Sequence, residues 1–258
     1  MNVAIDLGNS CAKAVAFNGL KPIKSVKAPY GSLSDITLFC QQLDIEKGIW
    51  ASVAGSSPEI LSMLSSLHFP LIHFEPGITK TPIHTYYADP TSLGADRWAA
   101  SVEASLRHPD SFSLVIDAGS CITYDFIYPD YRHLGGLISP GADMRLKALN
   151  AFTASLPLVE CQDPNPNIPQ STDDAIRNGV IYGLLHEVHG FISSFIANHS
   201  DDNNYFIYIT GGSASLLSPL FSGKLPMEDN KKLILDPLLV AEGLNRILLL
   251  SQNTHDYD

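Results

Sequence analysis

Apolar positions along the chain fall into two rhythms, short β-branched runs and stretches recurring about every 3.6 residues, and the order of the two repeats. Asn2 to Ile5 reads as a buried strand, Gly8-Asn9-Ser10 as a turn, and Ala14 to Phe17 as the returning strand. Asn18-Gly19 is a strong hairpin signal, which makes Pro22 to Lys27 the third strand. Helical spacing from Leu33 to Leu43 follows Ser32, a plausible cap. Ile49 to Val53 is strand-like, Ser57-Pro58 opens a helix reaching about Leu67, and Leu71 to Phe74 reads as a strand. Thr79 to Pro90, rich in turn residues and aromatics, reads as a loop, and Leu93 to Leu106 as a helix.

The same order begins again after His108-Pro109-Asp110. Strands are expected near Leu114–Asp117, Cys121–Ile127 and His133–Ile138, then a helix from Pro140 to about Ala154. Pro157 to Ser171 is an irregular connection. Asp173 to Ala197 predicts a long amphipathic helix with Ile176, Val180, Leu184, Val188, Phe191 and Phe195 on one stripe. Tyr205 to Ile209 is a strand, Thr210-Gly211-Gly212-Ser213 a turn into a helix, and Pro237 to Leu250 the last helix. Asp201-Asp202 reads as a solvated loop and the polar tail after the last helix as a frayed end. Thus βββαβα occurs twice, which predicts an α/β protein of two domains, 1–109 and 110–258, each with a mixed sheet and a cleft between them.

Composition narrows the chemistry. The 258 residues are 45% hydrophobic, enough for two modest cores. A net charge of −11 weighs against nucleic acid or anionic membrane as a partner, where a basic surface does the attracting. No apolar run reads as membrane-spanning, and the N-terminus runs straight into a strand, so a cytoplasmic protein is expected. Cys11, Cys40, Cys121 and Cys161 lack metal-site spacing and suit a reducing cytosol, as small buried thiols. His186 and His189 share a helix, but neither they nor His68, His73 and His84 have the carboxylate partner of a catalytic metal site.

Two turns carry the candidate chemistry. Asp6-Leu7-Gly8-Asn9-Ser10-Cys11-Ala12-Lys13 superposes on Asp117-Ala118-Gly119-Ser120, acid on acid and glycine on glycine. Phosphate chains need dense N–H donors and a cation to spread their charge. A glycine hairpin supplies the donors, hydroxyls and amides at Asn9, Ser10 and Ser120 add to them, and Lys13 could reach a phosphate. Asp6 and Asp117, at strand ends, could hold a cation or its waters, or could simply close their turns as Asx motifs. Gly211-Gly212, between strand and helix, would let a base or ribose approach. Together these resemble the phosphate-1, phosphate-2 and adenosine elements of the superfamily of acetate kinase, sugar kinases, actin and heat-shock chaperone ATPases.

Within that superfamily the chain closely resembles the type III pantothenate kinases. The resemblance runs through Asp6-Leu7-Gly8-Asn9-Ser10, Tyr87-Ala88-Asp89-Pro90, Gly94-Ala95-Asp96-Arg97, Asp117-Ala118-Gly119-Ser120 with Thr123 and Asp125, and Gly135-Gly136-Leu137-Ile138-Ser139-Pro140-Gly141. It continues through Leu156-Pro157, Ser171-Thr172, Gly179, Tyr182-Gly183 and Thr210-Gly211-Gly212. It implies two actin-like (ribonuclease H-like) domains and ATP-dependent phosphorylation of pantothenate to 4′-phosphopantothenate, the first step towards coenzyme A. By the family pattern Asp96 is the general base. Tyr87, Gly94, Ala95, Asp96 and Arg97 line the substrate site; Asp6 to Lys13, Ser120, Gly211 and Gly212 bind ATP. The resemblance also implies Mg2+, and a monovalent cation (K+ or NH4+) at Asp117. Thr172 matches a substrate contact supplied by the partner of a homodimer, although Ser171-Thr172-Asp173-Asp174 also looks like a helix cap. Gly-Ser-Cys-Ile at 119–122 departs from the more usual Gly-Thr-Ala-Thr, and serine lacks the β-branch that fixes χ1. Two other readings stand beside this one: another small-molecule kinase or phosphatase of the fold, and a nucleotide-binding transcriptional accessory factor.

Overall fold

In the computed structural model, which describes residues 1–53, 55, 57–199, 204–221 and 232–251, the first strand is buried along its whole length. The cause is its position. β1 (Asn2–Leu7) lies between β2 (Cys11–Asn18), antiparallel, and β4 (Lys47–Ser52), parallel. With β3 (Lys21–Pro29) and β5 (Leu71–His73) at the edges the sheet order is β3-β2-β1-β4-β5. Val3, Ile5 and Leu7 share a core with Ile36 and Phe39 of α1 (Ser34–Gln41) and Ile60 and Met63 of α2 (Pro58–Ser65). Ser57 caps α2, its Oγ accepting from the N–H of Ile60 at 3.4 Å. The expected cap at Ser32 is absent, because that residue ends a 3-10 turn, Tyr30–Ser32, and Leu33 occupies the cap position.

Residues 79–90, expected to be all loop, contain the two-residue strand β6 (His84–Thr85), which pairs in parallel with Arg132 and His133. Helix α3 (Ala95–Arg107) follows, with Gly94 as its cap residue. The second half gives β7 (Phe112–Ala118), β8 (Cys121–Tyr128), β9 (Arg132–Pro140), α4 (Ala142–Ala151), α5 (Thr172–His199), β10 (Tyr205–Thr210), α6 (Ser218–Phe221), β11 (Leu233–Leu235) and α7 (Leu239–Leu250). Its sheet runs β11-β10-β7-β8-β9-β6, so the order third-second-first-fourth-fifth recurs. This repetition is the actin-like α/β architecture. The core of the second sheet joins Leu114, Ile116, Ile122, Tyr124, Ile207 and Ile209 to the expected stripe of α5, where Ile176, Val180, Leu184, Val188 and Phe195 are buried and Phe191 half-buried. By length and composition α5 could cross a membrane, contrary to the expectation that no run would; here that apolarity serves the core.

Among the described residues, those within Met1–Pro109, Ile127–Gly135 and Leu238–Asp258 form one compact unit, and those within Asp110–Phe126 and Gly136–Pro237 the other. The sequence division at Pro109 therefore misassigns two segments. The tip of the β8–β9 hairpin groups with the first unit because β6 pairs with it. The last helix does so because it packs on β1 and α3. Asn245 Nδ2 donates to the carbonyl of Gly19 at 2.9 Å, and Asn2 Nδ2 donates to Asn245 Oδ1 at 3.1 Å. Gly243 lies directly against the backbone of Ala99, where any Cβ would overlap it. Buried Glu103 accepts from Arg107 at 2.9 Å and Arg246 at 3.0 Å, locking α3 to α7. Cys40 is the one fully buried thiol, pushed up to about 11 by burial; Cys11, Cys121 and Cys161 are half-buried rather than buried. The expectations for Asp201-Asp202 and for the tail beyond Ser251 fall outside the described residues.

Candidate functional site

In the first unit, Asp6 is the last residue but one of β1, opposite Lys13 of β2, and the turn between the strands closes with the N–H of Gly8 donating to the carbonyl of Cys11 at 3.1 Å. The hydroxyl of Tyr30 donates to the carbonyl of Gly8, pinning the turn from the start of the 3-10 segment. Sequence reasoning did not find Tyr30, since it follows the third strand, 22 residues beyond the glycine it holds. Burial raises the Tyr30 hydroxyl's pKa, with Asp6 and Cys11 adding to it.

Asp6 is 9% exposed. Burial raises its carboxyl from 3.8 to about 6, the charge of Lys13 opposes this, and the charge of Asp96 adds to it. The protonated form is thus favoured on folding, so stability falls as pH rises from about 4 to about 6 and the cost persists above. Asp6→Asn removes a charge whose burial costs up to about 3 kcal/mol. The variant is expected to unfold at higher urea than the parent at pH 8 and to lose that advantage below pH 4. Paired urea titrations would check this.

Asp96 stands in the first turn of α3, where its Oδ1 accepts from the N–H of Arg97 at 2.8 Å. The helix N-terminus favours that negative charge. A Cβ at position 94 would lie 2.6 Å from the same oxygen, so glycine is needed there for the carboxylate to fold back over the helix start. Arg97 is buried. It is 6% exposed, with Nη1 donating to the Tyr87 hydroxyl at 2.8 Å and the guanidinium 5.5 Å from the centre of that ring. Tyr87 in turn leans on buried His133, ring centres 5.9 Å apart, and His133 Nδ1 is 2.9 Å from Thr85 Oγ1. The Thr85 hydroxyl also accepts from the N–H of Tyr87 at 3.2 Å. The structure therefore brings Tyr87, Gly94, Ala95, Asp96 and Arg97 together and adds Thr85 and His133, for which the sequence offers no signal beyond the strand expected to start at His133.

In the second unit the N–H of Gly119 donates to the carbonyl of Cys121 at 2.9 Å. This turn closes two residues on, the first one three residues on, so the pair match in acid and glycine but not in length. Gly211, at φ +98°, packs against Asp117: any Cβ there would overlap Asp117 Oδ1 and the carbonyl of Ala118. The N–H of Ser213 donates to Ala118 O at 2.8 Å, and that of Gly141 to Ser120 O at 3.1 Å. Asp117, Ser120 and Gly211 are thus one constellation. Gly212 and Ser213 open onto a cavity of about 540 Å³ that Asp143 and Lys147 of α4 also line, with Glu160 and Cys161. Thr172 lies elsewhere, on a cavity of about 800 Å³ with Arg145, Phe152, Leu156, Ile176 and Val180. The cap of α5 is Ser171, whose Oγ accepts from the N–H of Asp174 at 3.2 Å.

The donor atoms around Asp117 are hard oxygens, which suit a monovalent or divalent cation. Among the described residues no three His, Cys, Asp or Glu side chains cluster to hold a metal. A magnesium ion bound here would be held by one or two carboxylates, phosphate oxygens and water, its usual preference.

Comparison with known proteins decides among the readings of such a site. Residues 2–194 match the family model of type III pantothenate kinase. The chain belongs to the type III pantothenate kinase family. It is 40% identical to the type III pantothenate kinase of Phocaeicola vulgatus over 249 residues, covering 96% of this chain and 98% of that one. Identity to the Flavobacterium johnsoniae enzyme of the same name is 35%, covering 84% and 88%. Among solved structures, a conserved Campylobacter jejuni protein described as a Baf family transcriptional activator is 25% identical over 97% of this chain and 99% of that one, with a TM-score of 0.59. A PilM–PilN type IV pilus biogenesis complex, at 12% identity, 95% and 97% coverage and a TM-score of 0.51, shares the fold alone. Family membership makes the chain an enzyme, a kinase that uses ATP and a divalent metal and whose acceptor is pantothenate.

Proposed function

We propose that Asp96 is the base in the transfer of the γ-phosphate of ATP to the terminal hydroxyl of pantothenate, the first step towards coenzyme A. The observation that carries this is the carboxylate folded back over the start of α3, held by the N–H of Arg97 and made possible by Gly94. The hydroxyl oxygen forms the new bond to phosphorus as the bond to the β-phosphate oxygen breaks; the hydroxyl proton passes to Asp96 and ADP leaves. A carboxylate is a weak base, so its contribution is chiefly orientation. Arg97, pre-aligned by Tyr87, satisfies polar groups of pantothenate with Tyr87, Gly94 and Ala95. The residues from Asp6 to Lys13, with Ser120, Gly211 and Gly212, bind ATP. Magnesium, when bound, spreads the phosphate charge.

Asp117 holds a monovalent cation, potassium or ammonium. Replacing potassium by sodium is expected to lower kcat/KM for ATP at least tenfold, as the smaller ion fits the same oxygens poorly; equal rates in both salts would remove that role from Asp117. Thr172 reaches pantothenate from the partner subunit of a homodimer in the cytoplasm. Two features support a two-fold pairing: Thr172 is released from capping by Ser171, and it shares an apolar cavity with Phe152, which is 86% exposed. A panel of acceptor alcohols in an ADP-coupled assay tests the whole reading. Turnover of pantothenate is expected; turnover of a hexose without pantothenate would overturn it.

A further inference from the structure

The second unit contains a closed circuit of side chains around its phosphate turn. The backbone of Gly141 presses on that turn: its N–H donates to Ser120 O, and a Cβ there would lie 2.5 Å from both Gly119 O and Ser120 O. Just before it, the carbonyl of Pro140 accepts from Arg145 Nε at 2.7 Å and Ser139 Oγ accepts from Arg145 Nη2 at 3.0 Å. The same Nη2 lies 2.6 Å from Glu187 Oε2. Glu187 Oε1 accepts from the hydroxyl of Tyr124 at 2.9 Å, and Tyr124 is fully buried on β8, the strand that leaves the turn. The two backbone segments that bound the turn, β8 on one side and Ser139–Gly141 on the other, are therefore tied to one carboxylate on α5.

We infer that Glu187 and Arg145 are positioning residues that set the phosphate-2 turn, Gly119-Ser120, at the geometry that receives the nucleotide. This rests on the reading of that turn as part of the ATP site. The chemistry favours the assignment. Arg145 uses its planar fork to hold a carbonyl, a hydroxyl and a carboxylate at once, which a lysine ammonium on a flexible stem cannot reproduce. Burial alone would raise the Glu187 carboxyl; hydrogen bonds from Arg145, Ser139 and Tyr124 outweigh it and hold the group below its usual value, so it stays charged. Burial and the bond to Glu187 push the Tyr124 hydroxyl well up, so it remains a donor. An apolar contact would fix the helix equally well but would not fix the direction of the Pro140 carbonyl. With that carbonyl turned, the Gly141 N–H leaves Ser120.

The test compares the full-length parent with Glu187→Gln, Tyr124→Phe and Arg145→Lys. ATP affinity is measured by equilibrium titration in the absence of pantothenate, KM for each substrate by steady-state assay, and folding by circular dichroism and melting temperature. Glu187→Gln is expected to weaken ATP binding about tenfold and Tyr124→Phe about threefold, with KM for pantothenate unchanged in both. These fold-changes follow from loss of the ion pair with Arg145 in the first case and of the single hydrogen bond from Tyr124 in the second. Tyr124→Phe loses only a hydroxyl and keeps the core packing, so it reports even if Glu187→Gln folds poorly. Arg145→Lys, which keeps the charge and not the fork, is expected to behave like Glu187→Gln. A lowered melting temperature with unchanged ATP affinity in the folded variants would overturn the inference and leave the circuit purely structural. Failure of the parent itself to bind ATP would overturn the reading of the turn, and the inference with it.

Discussion

Asp96→Asn is expected to lower kcat by about 10²- to 10⁴-fold, the range a positioned general base contributes. The substitution is nearly isosteric, and the Asn side-chain oxygen can still accept the N–H of Arg97 that Asp96 accepts at 2.8 Å. The start of α3, the placement of Arg97 and ATP affinity should therefore persist, so that the loss falls on kcat. A second signature accompanies it. Because the Asp96 charge is one of the causes holding the Asp6 carboxyl up near 6, its removal should move the Asp6 titration to lower pH. Rate and pH profile together separate a lost base from a damaged fold; an Asp96→Asn enzyme as fast as the parent would remove the assignment.

Gly211→Ala is expected to abolish measurable ATP binding, a loss of at least about 100-fold or ~3 kcal/mol. Two costs combine. The residue sits at φ +98°, a conformation that an alanine adopts only with strain of about 1–3 kcal/mol. Its methyl would also overlap the Asp117 carboxylate and the Ala118 carbonyl, and the second is backbone that no side-chain rotation can clear. Relief requires the strand end or the glycine turn to move, and either movement disperses the donors around the phosphate site. Gly190→Ala, in α5 with open space around the added methyl, serves as the control, expected to bind ATP normally. Titration of both variants with ATP would check the pair.

The contrast between these two sites shows what a sequence makes legible. Central strands such as Asn2–Leu7 announce themselves by short apolar runs, here Val3-Ala4-Ile5, and the long stripe of α5 by its period, since both follow from burial against a sheet. Acid-x-glycine turns at Asp6 and Asp117 are readable because the chemistry is concentrated in consecutive residues. Short edge strands are less so: Leu71–His73 is expected from the sequence, whereas His84–Thr85 and Leu233–Leu235 are not. Neither is tertiary assignment. The last helix follows the second half in sequence but packs with the first unit, through Gly243 against Ala99 and Arg246 against Glu103. The supports of the site fall in the same class. Tyr30 holds Gly8 and Arg145 holds Glu187 across 22 and 42 residues, so no local pattern marks them. Asp96-Arg97 lies between these cases: the motif was visible, while the burial of Arg97 against Tyr87 became visible only in three dimensions.

The most direct measurement of the central claim is mass detection of the product from purified full-length chain incubated with pantothenate, ATP, magnesium and potassium. The account predicts pantothenate carrying one added phosphate, formed in step with ADP and at least about a hundredfold more slowly when Asp96→Asn replaces the parent. ADP formed without phosphorylated pantothenate, or product formed equally well by Asp96→Asn, would contradict it.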